Sequence, residues 1–194
     1  MKNQIVIFLT VGICTGCATL ESKQRAAYQG HLSKGQRYLT ATKYERAARE
    51  FTSALEIPGQ PDRGALAGIL LAETHLKQGQ IDTAAELAAD LTANHPAQSG
   101  AWELSGKIHL KQGRWTQAEA DITKALELAE AAEQMRLQSL LALVRGSKAY
   151  AHGCITEARQ HWSAVSDPDL RRAMLAKTDE ILEININPEQ EEIR

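Results

Sequence analysis

The chain has 194 residues, 22 Lys or Arg against 24 Asp or Glu, and a formal net charge of −2. That slightly acidic balance offers nothing to a nucleic-acid backbone, so a nucleic-acid partner is not expected. Aromatic residues make up only 5% of the sequence, so Ala and Leu must do most of the filling in any core.

Lys2 is followed by a short, largely apolar run from Ile5 to Ile13 and then by Cys14-Thr15-Gly16-Cys17-Ala18-Thr19. A positive start, a short apolar stretch and small residues at its end describe a secretory signal. The run is well short of the roughly 20 apolar residues needed to span a bilayer. Gly16-Cys17-Ala18 resembles the bacterial lipobox, with Cys14 at the position where leucine is usual. The resemblance implies removal of residues 1–16 and lipidation of Cys17, leaving 17–27 as a tether; a plain cleaved signal or an uncleaved anchor is the alternative reading of these residues. A single acyl chain anchors only marginally and two or more anchor stably; the multiply acylated end implied here would therefore hold firmly. An extended tether would reach at most roughly 35 Å from the lipid. Ala18 rather than Asp after the cysteine resembles the sorting pattern for delivery to the outer membrane. The expected location is the cell envelope, on the periplasmic face of that membrane.

Further along, His-Leu-Lys-Gln-Gly occurs at 75–79 and again at 109–113, 34 residues apart. Self-similarity at this period marks a helical-hairpin array. Counting from Gly35 places Tyr38, Tyr44, Ala47, Phe51, Ala54 and Leu55 at offsets that recur. Trp102, Gly106, Gly113, Trp115, Ala118, Ala125 and Leu126 repeat them, and Gly146, Ala149, Gly153, Ala158, Trp162 and Val165 repeat them again. The pattern resembles the tetratricopeptide repeat (TPR). It predicts an all-α, TPR-type α-solenoid of about four helical hairpins over 28–172, with units at 28–61, 65–98, 99–132 and 139–172. Extra residues around Gly64 and Glu133 account for the unequal spacing of Ala47, Ala84, Ala118 and Ala158. Small residues at the repeated positions let helices approach closely, and glycine before the second helix supplies a left-handed turn.

Ser166-Asp167-Pro168 stops one helix and starts another, with Asp167 as N-cap and Pro168 at the first helical position. A capping helix is expected over 168–184, with Leu170, Met174, Ile181 and Leu182 on one side and Arg171, Arg172, Lys177 and Glu180 towards water. The polar segment 185–194, with Pro188 inside it, is expected to be disordered.

No catalytic constellation emerges, so the chain is not read as an enzyme, and no cofactor is expected. With Cys14 removed and Cys17 lipidated, Cys154 has no partner and is expected as a buried small side chain. Intermolecular disulfide formation or catalysis is the alternative reading of that thiol. His75 and His109 occupy equivalent repeat positions, but two histidines make a poor zinc site; half-buried structural roles are expected. A thiol- or metal-dependent centre on Cys154 or on His75 and His109 is therefore the competing function.

In TPR proteins the first helix of each hairpin lines an inner groove, and the resemblance carries partner contacts onto matching positions. These are Leu32, Gln36 and Leu39; Ile69, Glu73, Leu76 and Lys77; Glu103, Lys107, Leu110 and Lys111; and Leu143, Ser147 and Tyr150. An apolar floor with scattered charges suits a peptide or amphipathic helix. Asparagine is absent from these positions, unlike the carboxylate-clamp branch of the family. The implied function is a membrane-tethered adaptor or scaffold for an envelope protein or peptide. The chain resembles small envelope TPR lipoproteins, which include pilotins of type IV pilus secretins and scaffolds of peptidoglycan enzymes.

Overall fold

The computed structural model describes residues 2–58 and 61–186. Among them lie nine α-helices and no strand: α1 (Lys2–Thr40), α2 (Tyr44–Leu55), α3 (Pro61–Lys77), α4 (Ile81–Asn94), α5 (Ser99–Lys111), α6 (Trp115–Leu128), α7 (Ala131–Ala151), α8 (Ile155–Ser163) and α9 (Pro168–Ile186). The chain divides into two compact units, Met1–Leu91 and Thr92–Arg194.

Four tight turns link α1 to α2, α3 to α4, α5 to α6 and α7 to α8, and all four are built alike. In each, an N–H beyond the helix end donates to a carbonyl five residues back: Lys43 to Tyr38 (2.8 Å), Gln80 to His75 (2.9 Å), Arg114 to His109 (2.9 Å) and Cys154 to Ala149 (2.9 Å). This is the Schellman closure, and it requires one residue in the left-handed region. Gly79, Gly113 and Gly153 take that conformation at φ of 78°, 71° and 76°. The first turn has no glycine there, and Thr42 adopts φ 55° instead.

Within the first unit, α1 packs on α2 and α2 on α3. Tyr28, Leu32, Ala47, Phe51, Ala54, Ala67 and Leu71 form the buried cluster, with Tyr38, Leu39, Leu70 and Leu87 against it. A Cβ on Gly35 would sit 2.4 Å from the Phe51 ring, so the missing side chain is what lets α1 lie this close to α2. Leu91 lies close over Gly68 in the same manner, linking α4 to α3.

The second unit repeats the device twice. Gly106 lies under Ile122 and Gly146 under the Trp162 indole, at 2.5 Å and 2.3 Å from an ideal Cβ. One cluster joins Ala118 and Ile122 to Leu141 and Val144; another joins Ala149, Ala158, Trp162 and Val165. Leu170, Met174 and Leu175 of α9 cover the latter. Asp167 caps α9, its Oδ1 accepting from the N–H groups of Asp169 (3.0 Å) and Leu170 (2.9 Å). Arg171 does not face water as expected. It is half-buried and donates to the Val165 carbonyl at 2.8 Å, because the end of α8 leaves that oxygen without a helical partner.

Three stretches differ from the sequence reading. The extra residues around Glu133 extend α7 at its start, which lies at Ala131 rather than near 139. Residues 18–27 continue α1 without a break, since no Gly or Pro interrupts Ala18 to Gln29. As helix, a ten-residue tether reaches about 15 Å rather than roughly 35 Å. At the other end Asn185 and Ile186 are helical, and 187–194 lie outside the described residues, as do the side chains of Cys14, Cys17, Glu180 and Leu182. Among the described residues no helix is long and apolar enough to cross a membrane.

Thr42 is β-branched in a region where β-branched residues are strained. Thr42→Gly is therefore expected to stabilise the first unit by about 0.5–1 kcal/mol, the relief of strain exceeding the added entropy of unfolded glycine. Denaturant unfolding checks this; an unchanged or lower midpoint would contradict it.

Candidate functional site

The positions read as an inner groove divide into three kinds. Leu32 and Ile69 are each 9% exposed and Glu103 is 5% exposed. These three are not open contact positions, because neighbouring helices of their own unit close over them. Leu39, Leu110, Leu143 and Tyr150 are half-buried and pack on the adjacent clusters. Leu76, Glu73, Lys107 and Ser147 are also half-buried, while Gln36, Lys77 and Lys111 are exposed. The free surface of these helices is thus more polar than the alternation of leucines implied.

Two ion networks, neither evident in the sequence pattern, organise the second unit. Glu103 on α5 accepts from Lys107 at 2.7 Å, one helical turn on, and from Arg136 in the extension of α7. Burial pushes the Glu103 carboxyl up, but hydrogen bonds and charge from Arg136 and Lys107 outweigh it, leaving the group below its ordinary value. Glu119 on α6 accepts from Lys148 Nζ at 2.9 Å and Arg145 Nε at 2.8 Å. The Lys148 hydrogen bond, against partial burial and with help from Arg145, holds Glu119 below its ordinary value too. Arg145 and Lys148, three apart on α7, share a helix face.

The Glu119 network forms one wall of a cavity of about 430 Å³ in the second unit, bounded also by Ala149, His152, Cys154, Glu157 and His161. Cys154 is exposed, contrary to the expected burial. It directly follows Gly153 at the outer turn before α8, where nothing packs over it, and its Sγ lies 4.0 Å from the His152 carbonyl oxygen. The contact is to backbone and not to an imidazole, so the arrangement of a thiol nucleophile with an adjacent base is not assembled.

The two repeat-equivalent histidines carry polar partners. His75 Nδ1 meets Gln80 Oε1 at 2.6 Å, and His109 Nδ1 meets Asp121 Oδ2 at 2.8 Å. Ser105 donates to that same Asp121 oxygen at 2.7 Å. Serine and histidine therefore converge on one carboxylate instead of on each other, which clasps α5 to α6 and does not make a relay. Among the described residues, no three His, Cys, Asp or Glu side chains come together as metal ligands.

Residues 69–136 match the tetratricopeptide repeat family. No match is found among curated protein sequences. Among solved structures, the pilF protein of Pseudomonas aeruginosa is similar at 19% identity and a TM-score of 0.64, over 82% of this chain and 72% of that one. A thermophilic TPR protein of Thermus thermophilus gives 20% identity and 0.62, over 80% and 82%. YrrB, a TPR protein with an unusual peptide-binding site, gives 16% and 0.51, over 82% and 86%. The fold is thus all-α and of the TPR solenoid type.

A carboxyl held below its unfolded value contributes stability that is complete above that value and is lost as pH falls through the native one. Glu103 starts from 4.5, so the second unit is expected to weaken as pH drops below about 4.5. Glu103→Gln should cost about 1–2 kcal/mol at pH 7 and flatten that acid limb. Urea midpoints across pH 3–7 measure both effects; a parallel acid limb in the variant would contradict the assignment.

Proposed function

We propose that the protein is an adaptor of the bacterial envelope, lipid-anchored through Cys17, that binds a protein partner on the first helices of its hairpins. The observation that carries the adaptor reading is the repeated hairpin itself. Four equivalent turns and four glycine-under-large-residue contacts build surface without assembling reactive groups, and residues 69–136 match a repeat family. A repeat array of this kind presents extended surface for protein contacts. The lipobox resemblance of Gly16-Cys17-Ala18 supports the anchor, and Ala18 supports the periplasmic face of the outer membrane. Service to a type IV pilus secretin is one specific form of the role; scaffolding of wall-processing enzymes is another.

Gln36, Lys77 and Lys111 are the exposed members of the proposed contact set. A photoreactive residue at each, in living Gram-negative cells, is expected to yield a discrete protein adduct absent when the probe sits at exposed Lys124 on α6. Adducts no more frequent than at Lys124 would sink the surface assignment. For the anchor, Cys17→Ala is expected to move the protein from the membrane fraction to the soluble periplasmic fraction. Continued retention in membranes would show that Cys17 is not the attachment point.

A further inference from the structure

The cavity of the second unit is not part of the contact set just described, and the donors left unused on its wall point to a ligand. Two cationic side chains, Arg145 and Lys148, line it with two carboxylates, Glu119 and Glu157, and with the imidazoles of His152 and His161. Of the two carboxylates, Glu119 is the one held by the cations. Glu119 takes Arg145 Nε and Lys148 Nζ, and Glu157 lies 3.6 Å from His161 Nε2. Arg145 meets Glu119 through Nε, so its two Nη groups, the pair able to grip a second carboxylate, have no partner among the described residues. Lys148 gives only one of its three N–H groups to Glu119. The volume, about 430 Å³, is within the range that holds a ligand.

We propose that this cavity binds a carboxylate-bearing peptide segment of a partner protein, with Arg145 and Lys148 as the gripping residues and Glu119 as a built-in competitor. Glu119 shows how a carboxylate sits against these two cations. It also orients them, since each has one donor fixed on Glu119. The choice of a peptide rests on the adaptor reading above; the carboxylate chemistry rests on the cavity alone. Because the site lies on α6, α7 and α8 within one unit, it does not depend on the surface probed at Gln36, Lys77 and Lys111.

The test uses the full chain and a fluorescent octapeptide of alternating Glu and Gly, with Gln in place of Glu as the uncharged control. Anisotropy should show the acidic peptide binding at least about tenfold more tightly than its control, and weakening as salt rises. Arg145→Gln with Lys148→Gln should reduce that affinity about tenfold or more, while Lys124→Gln leaves it unchanged. Glu119→Gln should raise it several-fold by releasing both cations, and this variant decides the matter if the double substitution fails to fold.

Equal loss in Lys124→Gln and in the double variant would overturn the site, as would weaker binding in Glu119→Gln. No binding up to about 1 mM peptide would do the same, as would capture of phosphatidylglycerol vesicles without capture of peptide. A failed photo-crosslink at the first-helix positions alongside a positive peptide result would remove that contact surface and leave the cavity standing.

Discussion

The structure depends on how closely the two helices of a hairpin can approach, and that distance is set by what is absent from one of them. In three of the four hairpins a glycine on the first helix lies beneath a large residue sixteen positions later: Gly35 and Phe51, Gly106 and Ile122, Gly146 and Trp162. Any Cβ on these glycines would lie inside the facing side chain, so the large residue fills the cleft and the glycine defines its depth. The second hairpin meets the same constraint differently. Ala72 and Ala88 hold the equivalent positions, both buried, and the bulk moves to Leu91 over Gly68. Interiors packed at crystal-like density tolerate such exchanges when volume is kept and punish them otherwise.

Helices brought so close must also be reversed within three residues, and here the chain has little freedom. A Schellman turn needs one left-handed residue, and glycine takes it without cost from a side chain. The sequence makes this legible at Gly79, Gly113 and Gly153, which is why the repeated His-Leu-Lys-Gln-Gly was informative. It hides the fourth case, because Thr42 reproduces the same hydrogen bonds without the residue that announces them. Period and turn chemistry could therefore be read along the chain, whereas strain at one turn could not.

What the sequence concealed has a common origin in contacts between distant segments. Leucines at three- and four-residue spacing mark an apolar face, but spacing cannot say whether that face meets a neighbouring helix or solvent. Leu32 and Ile69 turned inwards for this reason. Glu103 looked like a groove charge because charged residues are seldom buried unpaired; its partner Arg136 lies 33 residues away, in a helix extension read as an insertion between repeats. Cys154 erred in the opposite sense. A small thiol reads as core material, but the residue after each left-handed glycine, Gln80, Arg114 or Cys154, is exposed at the turn. The family resemblance identified the scaffold and was silent on these points, which belong to this chain alone.

The placement of charge separates the two networks of the second unit in kind. Glu103 is nearly inaccessible and its cations come from two helices, so its role is to hold α7 against α5; removing it leaves donors that can turn to water. Glu119 is a quarter exposed, with partners that are a third or more exposed, and at such depth ion pairs contribute little to stability. Two cations on one face of α7, held by a single carboxylate and bordering an open cavity, are therefore poorly explained as a structural brace. Their arrangement makes better sense as a surface whose donors are kept in place and only partly used. In a protein whose hairpins otherwise differ mainly in how they fill space, that partial use is the feature that distinguishes the last hairpin from the others.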